Sequence, residues 1–261
     1  MESIKELRVK CQEQKMTGKD FNLMIGYLAH RKISIYLTRF LLTVWPSVRP
    51  DFVSLIMILA GIGGTVLLSF SNFNTAILGV FLVYSSFLLD KVDGEIARYK
   101  KLFSLRGIYL DEIYHAIVPA AVIFFFLYQD AASWPRSGFL ALAVFLTLLN
   151  RFNRKMALIV YAKNENGLRA GKFNPSPTES PARKIFNFPP IKISSVVERF
   201  DIIITLVFLT IVFEKFSMVS LKPYFLYGYC AIGLLYFIRQ LALNYFGGVE
   251  RSVKEVAEKG Y

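Results

Sequence analysis

The sequence predicts an all-helical (all-α) integral membrane protein: six transmembrane helices preceded by an N-terminal amphipathic helix that lies in the membrane interface. Three observations carry this prediction. Of the 261 residues, 54% are hydrophobic and 24 are Phe, and the mean hydropathy is +0.44, well above what a soluble domain of this length carries. The apolar residues are gathered into runs, and the runs approach or reach the roughly 20 residues that a bilayer-crossing helix needs. Finally, all but three of the 31 Lys and Arg (the exceptions are Arg136, Lys215 and Lys222) fall in 1–49, 91–106, 151–199 and 239–261. The positive-inside rule then puts both termini and the 93–106 and 162–197 loops in the cytoplasm, which six spans allow. The net charge of +12 therefore reads as topology and attraction to anionic headgroups, and nucleic-acid binding is not expected.

Taken in order, residues 1–30 form a polar leader, helical in part, without the apolar stretch of a secretory signal. Residues 31–49 form the interfacial helix. Arg31, Lys32 and Arg39 are expected to face headgroups while Ile35, Leu37, Leu41 and Trp45 dip toward the acyl chains, and Pro46 and Pro50 end the helix. A seventh short span here would break the charge topology. Residues 50–247 form the transmembrane domain, with apolar runs near 52–70, 75–92, 108–128, 137–161, 200–216 and 222–246. The loop 162–197 is rich in proline and polar residues, so regular structure is not expected there, and 248–261 form a cytoplasmic tail. Gly61, Gly63, Gly64 and Gly79 are expected to mark close helix packing. Cys11 and Cys230 are too few, and too different in setting, for a disulfide frame or a metal site.

Charged residues lodged between apolar runs are a functional-site hypothesis by default, and residues 90–115 hold a cluster of them. Asp90, Asp93 and Ala97 fall on one face of a helix, as do Gly107, Asp111 and His115 on the next. At the cytoplasmic ends of two antiparallel helices, the three aspartates can converge. Their mutual repulsion is most simply offset by a hard divalent cation, Mg2+ or Mn2+. Gly94 and Ala97 leave room for a ligand to approach the backbone, and the Arg98 fork suits a phosphate. Together these residues describe a pyrophosphate site at which metal ions assist an in-line displacement.

The run Asp90-x2-Asp93-Gly94-x2-Ala97-Arg98-x8-Gly107-x3-Asp111-x3-His115 resembles the signature of the CDP-alcohol phosphotransferase (phosphatidyltransferase) family, with His in place of the last acid. The resemblance implies a membrane transferase, usually of phospholipid synthesis, that joins a CDP-linked donor to an alcohol acceptor and releases CMP. It further implies a homodimer with two ions, Mg2+ or Mn2+, at a site open to the cytoplasm. Carried over residue by residue, Asp90, Asp93 and Asp111 are metal ligands with His115 at the fourth position, and Gly94, Ala97, Arg98 and Ser104 contact the CDP part. VRPDFVS, residues 48–54, resembles the start of the family's first span and adds Ser54 as a nucleotide contact; a helix cap explains Asp51 equally well.

His115 leaves three readings open. Imidazole is a competent base at neutral pH; it also favours Mn2+ or Zn2+ over Mg2+ as a ligand; or its presence marks an inactive relative. Retention of the other motif residues favours an active enzyme with His115 and Asp111 at the catalytic centre. For the acceptor, Arg154, Lys155 and Arg199 are candidates for holding an anionic group, with plain topology the competing explanation. A silent scaffold of the same fold is one alternative; a transporter is another, though its charges would lie nearer the bilayer midplane. Neither the headgroup nor the partner that carries CDP can be read from the residues.

Overall fold

The computed structural model describes residues 2–16, 25–131, 135–169, 194, 199–217 and 219–243, and every regular element among them is helical. The helices are α1 (Ile4–Met16), α2 (Ile25–Val44), α3 (Pro50–Leu68), α4 (Phe73–Lys100), α5 (Leu105–Leu127), α6 (Arg136–Arg169), α7 (Phe200–Phe216) and α8 (Lys222–Leu243), with a short 3-10 turn at Tyr128–Ala131. Among the described residues, α3, α4, α5 and α8 are long and apolar enough to cross a membrane. The tail 248–261 and most of the expected 162–197 loop lie outside the described residues.

The chain divides into two compact units: Met1–Phe126 with Ile204–Phe216, and Leu127–Ile203 with Ser217–Tyr261. In the first unit, local signals set the helix ends. Ser3 and Glu6 form a reciprocal capping box: the Ser3 backbone N–H donates to Glu6 (2.7 Å) and the Glu6 N–H donates to the Ser3 hydroxyl, closing the start of α1. These bonds hold the Glu6 carboxyl below its ordinary pKa. Pro50 opens α3, where its missing N–H costs nothing. The Asn72 side chain caps α4 by accepting from the backbone of Asn74 and Thr75. Helix α4 ends at Lys101, which adopts a left-handed conformation (φ 54°), with the Leu102 N–H returning to the Ala97 carbonyl. The Lys100 ammonium donates to the carbonyls of Pro46 and Val48, tying down the turn between α2 and α3.

Helices α3 and α4 cross almost backbone to backbone. A β-carbon on Gly64 would stand 2.8 Å from the Gly79 carbonyl, and one on Gly79 would stand 2.8 Å from the Gly64 carbonyl. Gly61 likewise accommodates Val118 of α5. Gly63, expected to pack in the same way, instead has nothing within 4 Å of where its β-carbon would be.

Helix α2 lies differently from the sequence expectation. It begins at Ile25, not at residue 31, and Ile35 and Leu42 pack into the core with Leu7 and Cys11 of α1 and Val92 and Ile96 of α4. Arg31, expected among headgroups, is buried. The exposed apolar residues are Ile33, Tyr36, Phe40, Val44 and Trp45, so of the residues expected on the outward side Trp45 is exposed while Ile35 is buried, and the exposed face of the helix is rotated from the one expected. The reason is that Ser34 and Thr38 turn inward to meet Glu95 of α4, which fixes the helix rotation.

In the second unit, α6 packs on α8. Thr147 bonds Tyr229 (2.9 Å), the Asn150 amide donates to the Gly233 carbonyl, and the Cys230 thiol donates to the Phe139 carbonyl. Lys222 pairs with Asp130 at 3.1 Å. Helix α6 continues to Arg169, eight residues beyond its expected end at 161.

Candidate active site

Helix α4 carries its acids in its last three turns because it does not stop where hydropathy falls at residue 92. After Gly94, the residues EIARYK favour helix on balance, with Glu, Ala, Arg and Lys among the good formers, so 93–100, expected as loop, are helical and only 101–104 connect to α5. Ser104 then caps α5 by accepting from the Gly107 N–H at 2.8 Å, and its own hydroxyl donates to Asp51 at 2.7 Å. Asp51 does not cap α3, whose N-terminus has no side-chain cap bond. It tethers α3 to the start of α5, with its carboxylate beside the positive end of that helix dipole.

These elements surround a cavity of about 420 Å³ lined by Ser54, Asp90, Asp93, Gly94, Ala97, Arg98, Ser104, Gly107, Asp111 and His115, among others. The residues singled out on α3, α4 and α5 thus come together. His115 Nε2 lies 3.2 Å from Asp90 and 3.4 Å from Asp111. One donor atom from each of Asp90, Asp111 and His115 falls within 4.8 Å of the other two. Donors around one divalent ion stand about 3–4 Å apart, since each bond is about 2.0–2.2 Å, so these three side chains fit a single cation after small rotations. Asp93 lies outside that trio: one oxygen accepts from Ser54 (2.6 Å) and the other from the Gly94 N–H (2.5 Å). Ser54, buried at 2% exposure, is therefore oriented toward Asp93.

Two charged neighbours join the residues singled out from the sequence. The Lys91 ammonium pairs with Asp90 and lies over the Phe87 ring. Arg31 of α2 lines the cavity. Lys91 is adjacent in sequence and is readable as a partner; Arg31 comes from a helix whose rotation no local pattern reveals. The Arg98 guanidinium lies along Gly94, with Nη1 3.3 Å from where a β-carbon would stand, so Gly94 makes room for that side chain. Arg199 belongs to the second unit, where it forms a two-point pair with Asp201. Arg154 and Lys155 are on α6, and their side chains lie outside the described residues.

The arrangement combines three donors spaced as for one cation, an imidazole between carboxylates, a glycine-flanked guanidinium and an open cavity. It suits phosphate-bearing ligands.

Residues 47–237 match the family described as CDP-alcohol phosphatidyltransferase. Comparison with curated proteins finds no match. Among solved structures, the chain is similar to the crystal structure of Mycobacterium tuberculosis phosphatidylinositol phosphate synthase with CDP-DAG bound. The TM-score is 0.52 at 19% identity, over 82% of this chain and 93% of that one; at this identity the likeness concerns the fold.

Proposed function

Because the chain belongs to the CDP-alcohol phosphatidyltransferase family, whose members are membrane transferases of phospholipid synthesis, we propose that it moves a CDP-activated group onto an acceptor hydroxyl and releases CMP. The observation that carries this reading is the convergence of Asp90, Asp111 and His115 in the cavity that Gly94, Arg98 and Ser104 also line. The donor of first choice is CDP-diacylglycerol, the ligand of the fold neighbour. Arg98 and the open backbone at Gly94 and Ala97 bind the donor pyrophosphate, with Ser104 and Ser54 at the nucleotide side. A Mg2+ or Mn2+ ion held by Asp90 and Asp111 would offset charge on the phosphoryl oxygens. His115 Nε2 accepts the proton of the acceptor hydroxyl, and the flanking carboxylates stabilise the resulting imidazolium. The hydroxyl oxygen bonds to the β-phosphorus as the bond to the CMP oxygen breaks. Arg154, Lys155 and Arg199 are proposed to favour an anionic acceptor. Six spans with both termini and the site on the cytoplasmic side are proposed from the charge distribution, and a homodimer is proposed by analogy with the family.

A second reading is favoured by the donor spacing: His115 Nε2 is itself a metal ligand alongside Asp90 and Asp111. Asp93, held by Ser54 and Gly94, then stands aside and becomes a ligand only after rearrangement.

The test is CMP release by the purified protein in detergent, from CDP-diacylglycerol and from CDP-linked polar alcohols, with candidate acceptors and Mg2+ or Mn2+. Asp111→Asn is expected to lower turnover by about 10³-fold or more. In His115→Ala, Mn2+ affinity measured by calorimetry separates the roles: it is retained if His115 is the base and falls about 10- to 100-fold if it is a ligand. CMP release that is absent in the wild type under all these conditions, and appears in His115→Asp, overturns the assignment in favour of a silenced fold.

A further inference from the structure

Glu95 has no part in the site as read above, yet it is the most fully enclosed carboxylate near it, at 0% exposure. Its Oε1 accepts from the Gln12 amide (2.7 Å) and from Ser34 (2.6 Å), and its Oε2 accepts from Thr38 (2.6 Å). Gln12 spends the other hydrogen of the same amide on the Arg31 carbonyl at 2.8 Å. Helix α1 is thereby fastened to α2 and α4 by one side chain, at a sequence distance of 83 residues from Glu95. Leu7 and Cys11, on the same face of α1, bury against Ile35, Val92 and Ile96.

The residue next to Gln12 makes this fastening matter to the site. The Cys11 carbonyl accepts from Arg98 Nε at 2.5 Å. A guanidinium presents its donors in a rigid planar fork, so fixing Nε fixes the plane and direction of the Nη edge. That edge lies along Gly94, in the cavity wall. Resting on the reading that Arg98 meets the donor phosphates, we propose that α1 is part of the donor site, with Gln12 and Glu95 as positioning residues that hold the Cys11 carbonyl against Arg98 and so aim its guanidinium.

The test is equilibrium binding of CDP-diacylglycerol to the full chain in detergent with Mg2+, for wild type, Gln12→Ala, Arg98→Lys and the double variant. Lysine keeps the charge at this position but has no Nε–H fork for the Cys11 carbonyl to orient. Gln12→Ala is expected to weaken donor binding about tenfold when the arginine is present and to have no further effect in the Arg98→Lys background. Leu7→Ala, which loosens α1 from its apolar side, is expected to reproduce the Gln12→Ala loss and to be equally silent in the Arg98→Lys background. Unchanged binding in a folded Gln12→Ala protein overturns the inference. So does an equal further loss in the Arg98→Lys background, since a general loosening adds regardless of which side chain the site residue carries. Wild-type protein that binds no CDP-diacylglycerol overturns the reading of the donor site, and the inference with it.

Discussion

Two carboxylates on the same stretch of α4, Asp90 and Glu95, are treated in opposite ways. Glu95 is sealed and saturated: three neutral donors from α1 and α2 take both its oxygens. Asp90 faces a cavity, pairs with Lys91, and shares the imidazole of His115 with Asp111, whose side chain is 41% exposed. A buried charge stripped of water is tolerated when donors replace that water. Asp90 and Asp111 are instead brought together at a cavity edge, where Lys91 and His115 offset their mutual repulsion only in part. On the proposed reading, the contrast separates an acid that holds the fold from acids placed to receive a cation.

The strongest way to break this comparison is at Glu95. Glu95→Ala leaves a hole and removes the buried acceptor of Thr38, so a loss of about 2–4 kcal/mol is expected, read as a drop in thermal unfolding temperature in detergent. A change within error would mean that the network only decorates the interface. Next is the apolar crossing farther along the same helix. A β-carbon in Gly64→Ala meets the Gly79 carbonyl and the Val83 backbone, which cannot swing aside, so about 1–3 kcal/mol is expected. Gly63→Ala, with open space around it, serves as the control and should not destabilise. Asp111→Asn is expected to move stability in the other direction: relieving repulsion near Asp90 raises the unfolding temperature slightly, by less than about 1 kcal/mol, while the proposed CMP release falls by about 10³-fold. A protein destabilised as much as Glu95→Ala would place Asp111 on the structural side of the comparison.

The smallest effect is a chemical one. Burial, and then the charge of Glu95, push the Cys11 thiol from its ordinary value near 9 up to about 11. Because the folded value is the higher one, the native state keeps this proton, and its share of stability is lost only as pH rises through that interval. In Cys230→Ser protein, maleimide labelling of Cys11 is expected to stay slow at neutral pH and to quicken only as pH approaches about 11. Labelling as fast as that of an exposed thiol at pH 8 would show α1 to be undocked.

Legibility follows the range of the interaction. Asp90, Asp93 and Gly94 share one helix face and Asp111 and His115 another by periodicity, and pairing the two helices antiparallel at their charged ends is what brings the two faces into one cavity. The capping box of Ser3 and Glu6 is also readable in principle, though the charged composition of the leader obscures it. The end of α4 is harder to read, because hydropathy falls at residue 92 while helix propensity persists to Lys100. The rotation of α2 is invisible locally, since it depends on Ser34 and Thr38 finding Glu95 more than fifty residues away. Gly63 and Gly64 look alike in sequence, and only the crossing distinguishes the one that is needed.

At 28 residues and about 1.5 Å per residue, α4 is about 42 Å long, whereas the hydrocarbon layer it crosses is about 30 Å thick. With its Asn72 end at one boundary of that layer, the final two to three turns overshoot the other. On that placement Asp93 and Arg98 would ride at the height of the lipid phosphates, where oil-soluble and water-soluble molecules share a border and neither has to leave its own medium to be reached.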